Sequence, residues 1–138
     1  ARNRRKSLAV IVIDVDRFKS VNDEFGHAGG DLALQGIANA LREGLREQDL
    51  LGRLGGEEFA ALLPDADLAL ASQVAERLRR AVASLELTSD GRRMSLRICA
   101  GVASLAPGDD SLHALLVRAD RGLYDAKRAG RDRVGVVA

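Results

Sequence analysis

The apolar run Leu8-Ala9-Val10-Ile11-Val12-Ile13, which ends at Asp14, constrains the fold more than any other feature of this chain. A β-branched stretch without polar alternation does not suit a sheet with one wet face; it fits a central strand covered on both sides. Such a strand delivers Asp14 to a sheet end. The period then changes: Leu34, Ile37, Ala38, Leu41 and Leu45 recur at helical spacing and predict a helix from Asp31 to about Arg46. The polar stretch 16–30, with glycines at 26, 29 and 30, reads as a loop with a short helical turn.

Downstream, Leu50–Leu54 and Phe59–Leu63 read as a hairpin turning at Gly55-Gly56, which leaves Glu57 and Glu58 at the turn. A second helix is predicted over Asp67–Ser84, with Val74, Leu78 and Val82 inward. Strands at Leu85–Leu87 and Met94–Ser104, joined through Ser89-Asp90-Gly91, are expected to extend the same sheet. Ser111 caps a third helix whose stripe is Leu112, Leu115, Leu116, Ala119, Leu123 and Ala126, and Gly130 stops it before a last strand, Arg133–Val137. The order βαββαβ plus additions predicts an α/β (α+β) fold: a central mixed, mainly antiparallel sheet with a palm/ferredoxin-like core and flanking helices.

At 138 residues the chain fits one domain. Its 21 basic and 20 acidic residues leave a net charge of +1, too little for a broad cationic field, so a nucleic-acid partner is not expected and a phosphate ligand must be held locally. Cys99, inside an apolar run, reads as a small buried thiol and suits a reducing compartment. No apolar stretch approaches the roughly 20 residues needed to span a bilayer, and no membrane contact is expected of this piece. A cytoplasmic location follows as an expectation, with the parent protein free to be membrane-anchored.

Two acidic sites distant in sequence both fall at strand ends: Asp14-Val15-Asp16 and Glu57-Glu58. If the strands are neighbours, the carboxylates converge into a set of hard oxygen ligands suited to Mg²⁺ and substrate phosphates. Taken singly, each motif equally fits a solvated strand end or an exposed turn.

Several segments, in order and spacing, resemble the GGDEF family of diguanylate cyclase domains. They are Gly55-Gly56-Glu57-Glu58-Phe59 with Arg53 ahead of it, Asp14-Val15-Asp16-Arg17-Phe18-Lys19, Val21-Asn22-Asp23, Gly26-His27 leading to Gly30-Asp31, and Leu123 through Arg133. The resemblance covers nearly the whole chain and implies a nucleotidyl cyclase-like sheet that condenses two GTP into cyclic di-GMP and two pyrophosphates. It implies metal ligation by Asp14, the Val15 carbonyl and Glu57, with Mg²⁺ or Mn²⁺ as cofactor and two ions per half-site. Glu57 would also accept the proton, with Glu58 as its support. Asn22 and Asp31 would bond the guanine edge. Lys19 and the amides around Phe18 would meet the triphosphate, joined by Lys127 and Arg131. His27 would close the pocket. On residue type alone, Phe18 and Phe59 suit core anchors, Asn22 and Asp31 loop and cap positions, His27 a loop histidine, and Lys127 and Arg131 a helix C-terminus.

The same resemblance implies an antiparallel homodimer in which each copy brings half a site, and regulatory domains in the parent protein. Arg46-x-x-Asp49 matches the family's product-inhibition site, with Arg77 able to reach the same cyclic di-GMP; a helix-end ion pair is the alternative for Arg46 and Asp49. The family also has a helix with an Asp-x-Leu-Thr-Gly-Leu segment before the first strand. Residues 1–138 start after it, and Asn3-Arg4-Arg5 is only superficially similar, so the chain reads as an N-terminally truncated piece. A further departure is Arg97 and Cys99, in a strand where smaller or hydroxylated residues are usual. The rival readings are a GGDEF-type domain that senses cyclic di-GMP or GTP without turnover, and a palm-type polymerase fragment.

Overall fold

β1 (Leu8–Val15) is the middle strand of a five-stranded sheet, and every residue in it after Leu8 is buried, as its unbroken apolar character requires. The computed structural model describes residues 7–105 and 111–137, so Asn3-Arg4-Arg5 lies outside the described residues. After β1 come α1 (Phe18–Gly44), β2 (Leu50–Gly55), β3 (Glu58–Pro64) and α2 (Leu68–Ala83). A short pair, β4 (Leu87–Ser89) and β5 (Arg92–Met94), precedes β6 (Ile98–Ser104), α3 (Leu112–Arg128) and β7 (Val134–Val137). The sheet order is β2-β3-β1-β6-β7, antiparallel throughout except for the parallel β6–β7 pair. The mixed, mainly antiparallel sheet expected from the sequence is therefore present.

The alternation of β1 side chains divides the core in two. Ile11, Ile13 and Val15 pack with Ile37 and Leu41 of α1 and Val74 and Leu78 of α2, whereas Val10 and Val12 pack with Leu115, Ala119 and Leu123 of α3. Burying each of the larger side chains contributes about 1.5–3 kcal/mol. Where α3 crosses β6 and β7 the backbones meet with no side chain between them: a Cβ on Gly101 would come within 1.9 Å of the Ala119 carbonyl, and one on Gly122 within 2.6 Å of the Gly135 carbonyl. The expected Ser111 cap forms, accepting from Ala114 N at 3.1 Å, and Asp67, at the predicted start of the second helix, caps it by accepting from Leu70 N at 2.8 Å.

Three expectations fail locally. The stretch predicted as a loop to Gly30 is helical from Phe18, interrupted only at Gly26 (φ 76°, ψ 174°). Phe18, Val21 and Phe25 stand at helical spacing and pack on the core, which outweighs the polar residues between them. Gly29 and Gly30 are packing residues inside the helix; a Cβ on Gly30 would sit 1.9 Å from Asn22 Oδ1. Second, β4 and β5 form a separate two-stranded sheet and do not extend the main one, and the predicted Met94–Ser104 strand is broken at residues 95–97. Third, Leu112 faces outward, 46% exposed, because it occupies the first turn of α3 beyond the sheet. Among the described residues no helix is long and apolar enough to cross a membrane.

Candidate active site

The antiparallel ladder between β1 and β3 places Asp14 opposite Glu58, and Val15 N donates to the Glu57 carbonyl at 3.2 Å. The two acidic motifs thus meet at one end of the sheet, the convergence on which the sequence reading depended. Glu58 stands in the first position of β3, while Glu57 is in the turn. Arg53 holds that turn by donating Nε and Nη2 to the Gly56 carbonyl at 2.9 and 2.6 Å.

Asp14 is the one charged residue among those described that is buried as a whole, backbone and side chain together, 7% exposed. Lys127 Nζ, from the last turn of α3, donates to Asp14 Oδ2, and Oδ1 is buried with no hydrogen-bond partner. A buried carboxylate oxygen without a donor is costly unless a cation or water satisfies it. Electrostatics follow from this crowding. Burial, and then the adjacent Asp14 charge, push the Glu58 carboxyl above its ordinary range. Burial would lower Lys127, but the bond to Asp14 and the nearby carboxylates outweigh it and its pKa is raised.

A divalent cation fits this donor set: Asp14 with its orphaned oxygen, the Val15 carbonyl and Glu57. Among the described residues no group of three or more Asp, Glu, His or Cys side chains forms a cage. That suits an ion whose remaining positions are filled by phosphates and water.

From β1 the chain turns through Arg17 in the left-handed region (φ 52°) into α1, whose N-terminus has no side-chain cap. The amides of such a first turn are a ready anion site, and they belong to Phe18 and Lys19. Phe18 packs against the core, and the Lys19 side chain is exposed, 3.7 Å from Asp23. Asn22 lies against Gly30, one residue from Asp31. Asp31 lines a cavity of about 410 Å³ with Leu34, Gln35, Arg42, Gly52 and Phe59 between α1 and the β2 edge. Phe59, 3% exposed, is also a core anchor. His27 is exposed one residue past Gly26.

The structure adds contacts that the motifs do not give, and one further residue, Arg79. Asp16 Oδ2 accepts from Asp132 N at 2.8 Å, tying the end of β1 to the loop that carries Arg131. Asp132 in turn takes Arg79 Nη1 at 2.9 Å and lies 3.6 Å from Arg97 Nε. These contacts are tertiary, so no local pattern could have revealed them. Cys99 is buried as expected; burial, then the neighbouring Asp16 carboxylate, push its thiol up to about 12.

At the other end of α1, Arg46 donates its backbone N to Asp49 Oδ2 at 2.8 Å and Nη2 to Oδ1 at 2.7 Å, and a further Nη2 bond reaches the Pro64 carbonyl at 2.7 Å. The bond to Asp49 holds Arg46 above the usual arginine range. Arg77 donates Nε to the Gly44 carbonyl at 3.1 Å, so all three residues gather where α1 ends.

A mixed sheet of this topology, ending in converged carboxylates beside an uncapped helix start, defines a nucleotide-handling α/β domain of the palm type. The sequence profile "Diguanylate cyclase, GGDEF domain" matches residues 1–133, and the chain belongs to that family. It is 45% identical over 129 residues to diguanylate cyclase DgcP of Pseudomonas aeruginosa, covering 94% of this chain and 19% of the relative. It is 37% identical over 131 residues to diguanylate cyclase A of Treponema denticola, covering 95% of this chain and 35% of the relative. The chain thus spans about a fifth to a third of these relatives. Among solved structures, the active GGEEF domain of a diguanylate cyclase from Vibrio cholerae superposes with a TM-score of 0.90 at 36% identity, covering 96% of this chain and 83% of that one. The GGDEF domain of DgcB from Caulobacter crescentus, solved in complex with c-di-GMP, gives 0.90 at 31% identity, covering 95% and 78%.

Proposed function

We propose that this chain is the catalytic domain of a diguanylate cyclase, in which the 3′-hydroxyl of one GTP attacks the α-phosphate of another, twice, releasing two pyrophosphates. The observation that carries this reading is the Asp14–Glu57/Glu58 convergence, with the buried Asp14 Oδ1 left without a donor. Asp14, the Val15 carbonyl and Glu57 are the residues that would hold Mg²⁺ or Mn²⁺, two ions per half-site. When bound, such ions neutralise phosphate charge, lower the pKa of the attacking hydroxyl and stabilise the leaving pyrophosphate.

The chain's own groups do the rest by positioning. Asn22 and Asp31 bond the guanine edge, selecting guanine over adenine. The first-turn amides of α1 at Phe18 and Lys19, the Lys19 side chain, Lys127 and Arg131 share the triphosphate charge. Glu57 takes the hydroxyl proton. Glu58, sharing the strand end with Asp14, keeps Glu57 in place. His27, beside the break in α1, closes over the base.

Two nucleotides must face each other, so two copies meet antiparallel, each bringing half a site, and regulatory parts of the parent protein control that encounter. Arg46, Asp49 and Arg77 form the inhibitory site for cyclic di-GMP, whose phosphates and guanines match their donors and acceptor.

The test is to incubate the parent protein with GTP and Mg²⁺ and to measure Mg²⁺-dependent GTP binding by the chain itself. Formation of cyclic di-GMP and pyrophosphate is expected, with binding lost on chelation. Metal-dependent binding without product would favour a GTP- or cyclic di-GMP-sensing domain. Salt-sensitive binding of single-stranded nucleic acid would favour a polymerase-like fragment.

A further inference from the structure

The break in α1 is bridged from outside the helix. At Gly26 the backbone leaves helical geometry. Two residues ahead of the break, the Glu24 carbonyl accepts from Arg92 Nη2 at 2.9 Å. The same guanidinium donates Nη1 to Glu24 Oε2 at 3.1 Å and lies 4.7 Å from the centroid of the Phe25 ring. Arg92 therefore grips two successive residues just ahead of the break, where a cation is also favoured by the helix dipole.

Arg92 belongs to the β4–β5 hairpin, whose other strand rests on the second segment of α1. A Cβ on Gly36 would meet Leu87 Cδ1 at 2.5 Å, and one on Gly29 would meet Ser89 Oγ at 3.3 Å. The hairpin thus touches both segments and fixes the angle between them. Asn22 and Asp31 stand on opposite sides of that break, and the Asn22 side chain reaches across it to Gly30. Their separation depends on the angle.

We propose that the β4–β5 hairpin is a splint for the broken helix, and that Arg92 is a positioning residue for guanine recognition, acting through Asn22 and Asp31. This rests on the guanine-site reading given above. Arg92 is exposed and contacts Glu24 and Phe25 rather than the first-turn residues Phe18 and Lys19, so loosening it should affect the base and spare the triphosphate.

The experiment compares the unsubstituted chain with Arg92→Ala and Arg92→Lys, each shown by circular dichroism to be folded. Equilibrium binding is measured for GTP, for ITP, which lacks the 2-amino group that a carboxylate at Asp31 would accept from, and for inorganic tripolyphosphate. For Arg92→Ala, GTP binding is expected to weaken roughly fivefold to tenfold and the GTP-over-ITP preference to shrink, with tripolyphosphate unchanged. Arg92→Lys, which keeps a donor and a cation, should recover part of the preference. In the parent protein the loss should appear in KM, with kcat at saturating GTP changing less than twofold. An unchanged GTP preference in folded Arg92→Ala overturns the proposal, and so does an equal loss for all three ligands, which would mean general loosening. Asn22→Ala and Asp31→Ala separate the two readings. If they leave the preference intact, the guanine assignment fails and takes the splint with it; if they abolish it while Arg92→Ala does nothing, only the splint fails.

Discussion

Asp14 and Asp49 are both carboxylates withdrawn from water, and their surroundings treat them in opposite ways. The Asp49 side chain is 0% exposed, and both its oxygens accept from Arg46, through the backbone N and the guanidinium. Asp14 takes one bond from Lys127 and keeps a buried oxygen with none. The first is complete without a ligand and stabilises the turn between α1 and β2; the second is left in deficit, and a cation relieves it. In the inhibitory reading, cyclic di-GMP must open the Arg46–Asp49 pair, so its affinity is reduced by the cost of breaking that contact.

The largest expected effect tests the deficient end. Glu57→Gln should lower cyclic di-GMP formation by at least about a hundredfold, with an unchanged circular dichroism spectrum, since in the proposed mechanism it removes a ligand and a proton acceptor, and it removes no core contact. Full turnover in that variant would take Glu57 out of the chemistry.

The same isosteric change at the two aspartates should then separate them. Asp49→Asn is expected to destabilise the fold by about 1–3 kcal/mol, because the partly buried Arg46 guanidinium loses its counter-charge. Asp14→Asn should shift stability by less than about 1 kcal/mol in either direction while abolishing Mg²⁺-dependent GTP binding, because the charge it removes was only half satisfied. Urea midpoints for both variants check this, and equal losses would erase the distinction. Arg46→Ala should keep turnover going at cyclic di-GMP concentrations that stop the unsubstituted protein. Inhibition unchanged by that substitution would reduce the Arg46–Asp49 pair to a structural ion pair.

The smallest effect concerns the network behind Arg131. Bonds from Arg79, then from Arg80, lower Glu76 to about 2 despite some burial. A carboxylate depressed on folding contributes stability that is fully present above its unfolded value, about 4.5, and is lost as pH falls through about 2. Glu76 is partly exposed, so the contribution is discounted to roughly 1 kcal/mol. Glu76→Gln should flatten the fall in stability between those pH values; an unaltered pH profile would show that Glu76 contributes nothing there.

Much of this arrangement was legible in the residues themselves. The β1 run required a doubly covered strand, Asp67 and Ser111 marked helix starts at the residues that cap α2 and α3, and Gly55-Gly56 marked the hairpin turn. Legibility failed where one residue type serves two purposes. Gly29 and Gly30 read as loop residues because glycine is common in loops, yet here they let Phe25 and Asn22 pack close inside a helix. The turn at Asp90-Gly91 was marked, but the predicted strands Leu85–Leu87 and Met94–Ser104 share only Leu87 and Met94 with β4 and β5, and the detachment of that hairpin from the main sheet was not legible, since pairing partners are not encoded in a three-residue strand.

By itself the sequence determined the order of the main-sheet strands and of the three helices, the doubly buried centre and the identity of the groups at each strand end, because period, capping and chain punctuation act over a few neighbouring residues. Tertiary structure alone decided that Lys127 closes on Asp14, that Asp132 donates its backbone N–H to Asp16 and accepts from Arg79, and that a hairpin grips the broken helix at Glu24 and Phe25. Those partners lie tens of residues apart. Their meeting depends on sheet register and on how closely glycine lets one element lie on another, which no local pattern carries.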